Sequence, residues 1–139
     1  MDIKIYEKML PKEAIDIRLT VFTEEQGFFD EFDDIDKTAT HFIVFDGEKA
    51  IATCRVFEQD GEECHILGRF AVLREYRGKG IGRAMLEAVE KQVRSVGGTG
   101  IILHSQLRAI GFYERCGYKG YGDFEDDEGY PHLWMKKTL

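Results

Sequence analysis

Six residues, Arg77-Gly78-Lys79-Gly80-Ile81-Gly82, restrict what this 139-residue chain can fold into more than any other segment. Glycine at alternate positions is costly inside a helix or strand, so the run must be a turn between two elements. Upstream, Leu67 to Leu73 reads as an apolar strand. Downstream, Ile81, Ala84, Met85, Ala88, Val89, Val93 and Val96 recur at helical spacing, and Gly97-Gly98 ends the helix. Glu87 with Lys91 and Glu90 with Arg94 stand four apart on its other face. A strand entering a helix through such a turn aims free main-chain N–H groups and the positive dipole end at one place. That arrangement is a cradle for an anion of the pyrophosphate type.

Spacing excludes two common phosphate loops. No Lys-Ser or Lys-Thr follows the last glycine, as a P-loop requires, and Gly78, Gly80 and Gly82 are spaced G-x-G-x-G rather than G-x-G-x-x-G. Arg74, Arg77, Lys79 and Arg83 against Glu75 alone give residues 74–83 a local charge of +3 in a chain of net charge −7. Basic side chains gathered at the glycines fit a polyanionic ligand.

The pattern that is satisfied is (Arg/Gln)-x-x-Gly-x-(Gly/Ala), through Arg77, Gly80 and Gly82. In this the chain resembles the GNAT superfamily of acyl-CoA-dependent N-acetyltransferases. Ala109-Ile110-Gly111-Phe112-Tyr113-Glu114-Arg115-Cys116-Gly117-Tyr118 is similar to the family's A-x-x-(L/F)-Y-x-x-x-G-(F/Y) helix, preceded by the strand Gly100 to His104. Arg18-Leu19-Thr20-Val21-Phe22-Thr23-Glu24-Glu25-Gln26, then Asp33, Asp36 and His41, resembles the ElaA/YjcF-like branch, as does Pro131-His132-Leu133-Trp134-Met135. A weaker similarity of Arg18-x-x-Val21-Phe22 to acyl-homoserine-lactone synthases is a distant alternative.

The resemblance implies acetyl-CoA as co-substrate, no metal, and a primary amine as acceptor. It assigns the diphosphate to Arg77, Gly78, Lys79, Gly80, Ile81, Gly82 and Arg83, and the pantetheine arm to Phe70, Ala71 and Val72 as an added strand. The N–H of Val72 or its neighbour polarises the thioester carbonyl, and Tyr113 is the general acid for the departing thiolate. Gln106, where many relatives carry Asn, keeps the amide chemistry with a longer reach. No motif fixes the base. His104 ends a strand beside the expected reaction centre; Glu25 or Glu24 acting through water is the alternative. His41 and His132 read as structural.

Pro11 opens a first helix over 11–25 with an apolar stripe of Ala14, Ile15, Leu19 and Phe22. Arg18 and Glu25, seven apart, share much of one face and either pair or face a cleft. Glu24, Glu25, Asp30, Glu31, Asp33, Asp34 and Asp36 form one acidic run, and Asp123, Glu125, Asp126, Asp127 and Glu128 a second. Two readings stay open: solvation of loops, or attraction of a cationic amine at the acceptor opening. Neither run has the spacing of a calcium loop.

The length fits one domain over 1–139, and no linker or repeat interrupts it. The N-terminal Asp2 and Lys4 argue against a signal sequence, no apolar stretch spans a membrane, and net acidity argues against nucleic acid. Cys54, Cys64 and Cys116 are odd in number and lack metal spacing. A turn at Asp60-Gly61 would set Cys64 opposite Phe57, so reduced thiols in a cytoplasmic protein are expected. With no candidate cysteine nucleophile, direct transfer in a ternary complex is expected.

The expected elements are strands 2–8, 40–46, 49–58, 63–73, 100–105, 118–124 and 131–137 and helices 11–25, 80–96 and 106–116. They make an α/β fold: a mixed, mostly antiparallel sheet of six or seven strands, helices on both faces, and the fourth and fifth strands splayed where cofactor enters. The function expected is N-acetyl transfer from acetyl-CoA to a small amine. A non-catalytic acyl-CoA sensor and a protein or peptide acetyltransferase remain alternatives, and the oligomeric state is open, a homodimer included.

Overall fold

Residues 40–72 are so rich in β-branched and aromatic side chains that β2 (Thr40–Asp46), β3 (Lys49–Phe57) and β4 (His65–Val72) form an antiparallel run in the computed structural model. It describes residues 1–28 and 32–139, so Asp30 and Glu31 of the first acidic run lie outside the described residues. The remaining elements are β1 (Asp2–Glu7), α1 (Lys12–Arg18), α2 (Ile81–Ser95), β5 (Gly100–Gln106), α3 (Ile110–Arg115), β6 (Lys119–Asp127) and β7 (Tyr130–Thr138). Among the described residues seven strands make one sheet in the order β1-β2-β3-β4-β5-β7-β6.

Strand alternation divides the core. Phe42 and Val44 of β2 pack with Met85, Val89 and Val93 of α2 and with Tyr113 of α3, whereas Ile43 and Phe45 pack with Ala14 of α1. α1 therefore covers one face, and α2 and α3 the other. Leu86, absent from the expected stripe, is buried, while Val96 is exposed. Glu90 corrects the expected solvent-face pair with Arg94: it is buried, accepts from the Tyr118 hydroxyl at 2.9 Å and pairs with Lys137 at 3.0 Å. A carboxylate facing the core is tolerated because both its neighbours supply protons.

β4 and β5 run parallel but pair only through His65–Ile101, Ile66–Ile102 and Leu67–Leu103. Beyond Leu67 and Leu103 they part, and the gap holds a cleft of about 940 Å³. On the other side of β4, Arg55 opposes Gly68 while Thr53 opposes Ala71, so Arg69 and Phe70 share the place opposite Cys54. Arg69 takes φ 52, the left-handed conformation of a bulge residue. The bulge turns β4 away from a regular ladder where the gap opens.

Three expectations are corrected. Phe57 opposes Ile66, not Cys64, because the β3–β4 connection is longer than a two-residue turn at Asp60-Gly61. All three cysteines are nonetheless free. The expected helix 11–25 is α-helical only to Arg18; Leu19–Glu25 is wound as π-helix, with the Thr20 hydroxyl donating back to the Asp16 carbonyl at 3.0 Å. The wider turns rotate Glu25 off the face of Arg18. Residue 106 belongs to β5, and a 3₁₀ turn, Leu107–Ala109, precedes α3.

Candidate active site

The glycines of the turn before α2 are there for two different reasons. Gly78 and Gly80 have φ 74 and 79, and an added Cβ at either would meet nothing within 4 Å. Their constraint is backbone conformation alone. A Cβ on Gly82 would stand 3.2 Å from Phe112 and 3.5 Å from Phe70, so that glycine lets α2 approach α3 and β4. Gly80 caps α2 without a side-chain hydrogen bond, and the first helical bond is Ala84 N–H to the Gly80 carbonyl at 3.1 Å. The N–H groups of Ile81, Gly82 and Arg83 thus have no partner among the described residues. Ile81, Gly82 and Arg83 line the cleft. Free donors and the dipole end coincide there, which is the chemistry of an anion site.

Arg77 lines the cleft, with its N–H already donated to the Arg74 carbonyl at 3.2 Å. Its guanidinium turns back to Glu25 at 2.6 and 2.7 Å, and its Nε donates to the Val72 carbonyl at 2.9 Å. Arg74 adds a bond to Glu25 at 3.0 Å. These partners, Arg77 first and against some burial, hold the Glu25 carboxyl at about 2. Glu25, half-buried and outside the cleft lining, is the brace that fixes the glycine turn to the π-helical segment. Lys79 lies outside the lining as well, its ammonium over the Tyr76 ring.

Leu73 donates its N–H to Ile51 at 2.9 Å, so by alternation the polar groups of Val72 point away from β3, as the Arg77 bond to its carbonyl also requires. Phe70, Ala71 and Val72 line the cleft. Tyr113 reaches it from α3, its ring 5.8 Å from Phe70 and 5.9 Å from Tyr118. Burial raises its phenol well above the ordinary value, so the hydroxyl keeps its proton at neutral pH. No hydrogen bond ties that hydroxyl to another described residue. Gln106 accepts from Arg108 at 3.1 Å and donates to Gln26 at 2.9 Å, linking β5 to the π-helical segment.

Across the gap from Tyr113, on the sheet face of α1, His104, Gln106, His132 and Trp134 stand side by side, because β5 and β7 pair His104 with Trp134 and Gln106 with His132. His104 stacks on Trp134 at 4.6 Å and lies 4.9 Å from His132. Burial first, then the neighbouring His132, lowers its pKa against the pull of Glu125 and Asp127. The ring is therefore neutral at neutral pH. His41, by contrast, is buried with Nε2 on the Asp36 carbonyl at 2.9 Å and is structural as expected. Sequence reasoning missed the place of His132, Trp134 and Phe57 in the lining. Strand pairing put them there, and residues 131–135, singled out in the sequence only by their family-like motif, carry no local pattern that places them at the cleft.

The two acidic runs differ in kind. Asp36 is bidentate to Arg18 at 2.8 and 3.0 Å and bonds Arg55 at 2.9 Å, and Asp33 is bidentate to Arg55 at 2.6 and 3.0 Å. Arg18 thus pairs with Asp36, not with Glu25. The second run is the tip of the β6–β7 hairpin, exposed along its length, with Asp127 and Glu128 at the cleft.

A splayed parallel pair beside a bulged strand, with a helix head uncapped at its mouth, defines an acyltransferase fold. The Acetyltransferase (GNAT) family profile matches residues 6–118, and the chain belongs to that family. A Bacillus subtilis relative, the uncharacterized N-acetyltransferase YjcF, is 36% identical over 129 residues, 91% of each chain. Escherichia coli ElaA superposes with TM-score 0.86 at 20% identity over 98% of each chain. An aminoglycoside 6'-N-acetyltransferase solved with coenzyme A superposes with TM-score 0.77 at 18% identity, over 99% of this chain and 97% of that one. Among the described residues no helix is long and apolar enough to cross a membrane.

Proposed function

We propose that this protein transfers the acetyl group of acetyl-CoA to the primary amine of a small acceptor, by direct attack with both substrates bound. One observation carries the reading: a single cleft runs from the unpartnered amides heading α2, past the β4 bulge, to Tyr113 on one side of the sheet and His104 on the other. An elongated thioester fits such a passage, and a protein of this fold is known with coenzyme A. The α2 amides hold the diphosphate, and Phe70–Val72 offer strand-like partners to the pantetheine arm. The N–H of Val72 is the donor for the carbonyl oxygen. His104, neutral and holding a lone pair, takes the proton of the amine; Glu25 at about 2 is far too weak a base. Tyr113 gives its proton to the departing thiolate. Cys54 is fully buried with its thiol pushed upward, which supports transfer without an acyl-enzyme.

Because arginines neutralise Asp33 and Asp36, selection for a cationic acceptor falls to Glu125, Asp127 and Glu128. The test is thiol release from acetyl-CoA with polyamines, small primary amines and acidic amino acids. Turnover of the cationic amines is expected; preference for the acidic ones sinks the acceptor assignment. Coenzyme A binding without thiol release from any amine would make the protein a sensor.

Gly80→Ala tests the anion site on its own. A Cβ at φ 79 strains the turn by roughly 1–2 kcal/mol, and relief of that strain rotates the amides away. Calorimetry should show coenzyme A binding weakened by about tenfold. Undiminished affinity would place the diphosphate elsewhere.

A further inference from the structure

His132 is 5% exposed, lines the cleft, and has its Nδ1 2.9 Å from the carbonyl of Tyr130. A carbonyl only accepts, so Nδ1 must carry the hydrogen. In the neutral ring that leaves the lone pair on Nε2, for which the described residues provide no partner. The second imidazole, His104, lies 4.9 Å away with its Nε2 buried, 3.4 Å from Glu125 Oε1 and without a hydrogen bond. Glu125 in turn accepts from the Trp134 indole at 3.0 Å, so its oxygen is already engaged. Two imidazoles so close in one half-dry recess cannot both be charged without mutual repulsion.

We propose that the base of this site is the pair His104–His132, with His132 a catalytic residue in its own right: its Nε2 takes a proton from the acceptor amine while the Tyr130 carbonyl holds Nδ1–H. The inference rests on the transferase reading above and extends it from one histidine to two. The step balances simply. The ammonium N–H bond breaks, its electron pair stays on nitrogen and forms the new C–N bond, and the proton makes imidazolium. The C–S bond breaks with the Tyr113 proton going to sulfur. The nitrogen, cationic once the C–N bond has formed, gives up its second proton to restore the Tyr113 phenol, and the imidazolium returns its proton to solvent beside the acidic hairpin. Groups bearing on His104 are Glu125 and Asp127 from β6 and the His132 ring. The carboxylates favour the imidazolium, and the partner ring opposes a second charge.

His132→Asn separates chemistry from packing, because an Asn amide keeps a donor for the Tyr130 carbonyl and loses the Nε2 lone pair. The readouts are thermal stability, coenzyme A affinity, and thiol release across pH, with the amine found in the screen or with water as the attacking group. His132→Ala should lower stability and rate; His132→Asn should restore stability and leave the rate at pH 7 down by about 10²-fold. His104→Asn combined with His132→Asn should cost little more than the worse single change, as members of one unit do. Recovery of the rate together with stability in His132→Asn would make the residue structural and overturn the proposal. Nitrogen NMR of the labelled imidazoles adds a reading that needs no acceptor: His132 with its hydrogen on Nε2 would overturn it too. A wild-type protein that binds coenzyme A and releases no thiol would defeat the transferase reading and with it the catalytic role, whatever the tautomer.

Discussion

Tyr113→Phe is expected to lower turnover by about 10²-fold or more while coenzyme A binds as before. The argument rests on what the substitution leaves alone. The ring packs against Phe70, Phe112 and Tyr118 at 5.8, 5.1 and 5.9 Å, and phenylalanine keeps all three contacts. The hydroxyl has no hydrogen-bond partner among the described residues, so its removal strands no polar group and the variant folds. A general acid must hold its proton until the leaving group needs it, and burial keeps this phenol protonated well above neutral pH. The rate should therefore show no alkaline decline at the ordinary phenol value of about 10. Steady-state kinetics beside calorimetry of coenzyme A binding separate the two roles. Equal kcat in the variant would remove Tyr113 from the chemistry and leave it a packing residue.

The parts of the site that follow a local rule were legible in the sequence, and the parts made by pairing distant segments were not. Gly78 and Gly80 declare a left-handed turn by being glycine, and Tyr113 lies in a helix motif that identifies itself. Glu25 could be seen as a charge near a cleft, but its partners Arg74 and Arg77 lie about fifty residues away, and only a wide π-helical segment brings them together. Helical periodicity assumes 3.6 residues per turn, so it placed Arg18 and Glu25 on one face and failed after Arg18. His132 was legible as a strand residue and nothing more. Its place beside His104 depends on β7 entering the sheet between β5 and β6, which no short pattern encodes. For the same reason the first acidic run could be read either as solvation or as substrate attraction, when Asp33 and Asp36 in fact hold buried arginines.

That arginine cluster yields the largest expected loss of stability. Asp36→Ala should destabilise the fold by about 3–5 kcal/mol, a large part of the 5–15 kcal/mol typical of a domain. Arg18, Asp36 and Arg55 are 1%, 3% and 3% exposed, so removing the carboxylate leaves two buried guanidiniums without their shared counter-ion. Asp33 also loses the carboxylate that caps its N–H at 3.3 Å, and the anchor between α1, the 3₁₀ turn Asp34–Lys37 and β3 is gone. A fall of about 10 °C or more in the melting temperature should follow. Acid should reproduce part of this in the native protein. Against burial, which raises it, the bonds from Arg18 and Arg55 bring the Asp36 carboxyl from 3.8 to about 2. A carboxyl depressed on folding adds stability that is complete above its unfolded value and disappears as pH falls from about 4 toward 2. Glu25, also held at about 2, and Asp33, lowered chiefly by Arg55, titrate in the same direction. Denaturation followed between pH 5 and 2 should then show a shallower acid slope in Asp36→Ala than in the native chain. Equal slopes, or a melting temperature unchanged at neutral pH, would mean that Arg18 and Arg55 find other partners and that the cluster does not anchor the floor of the site.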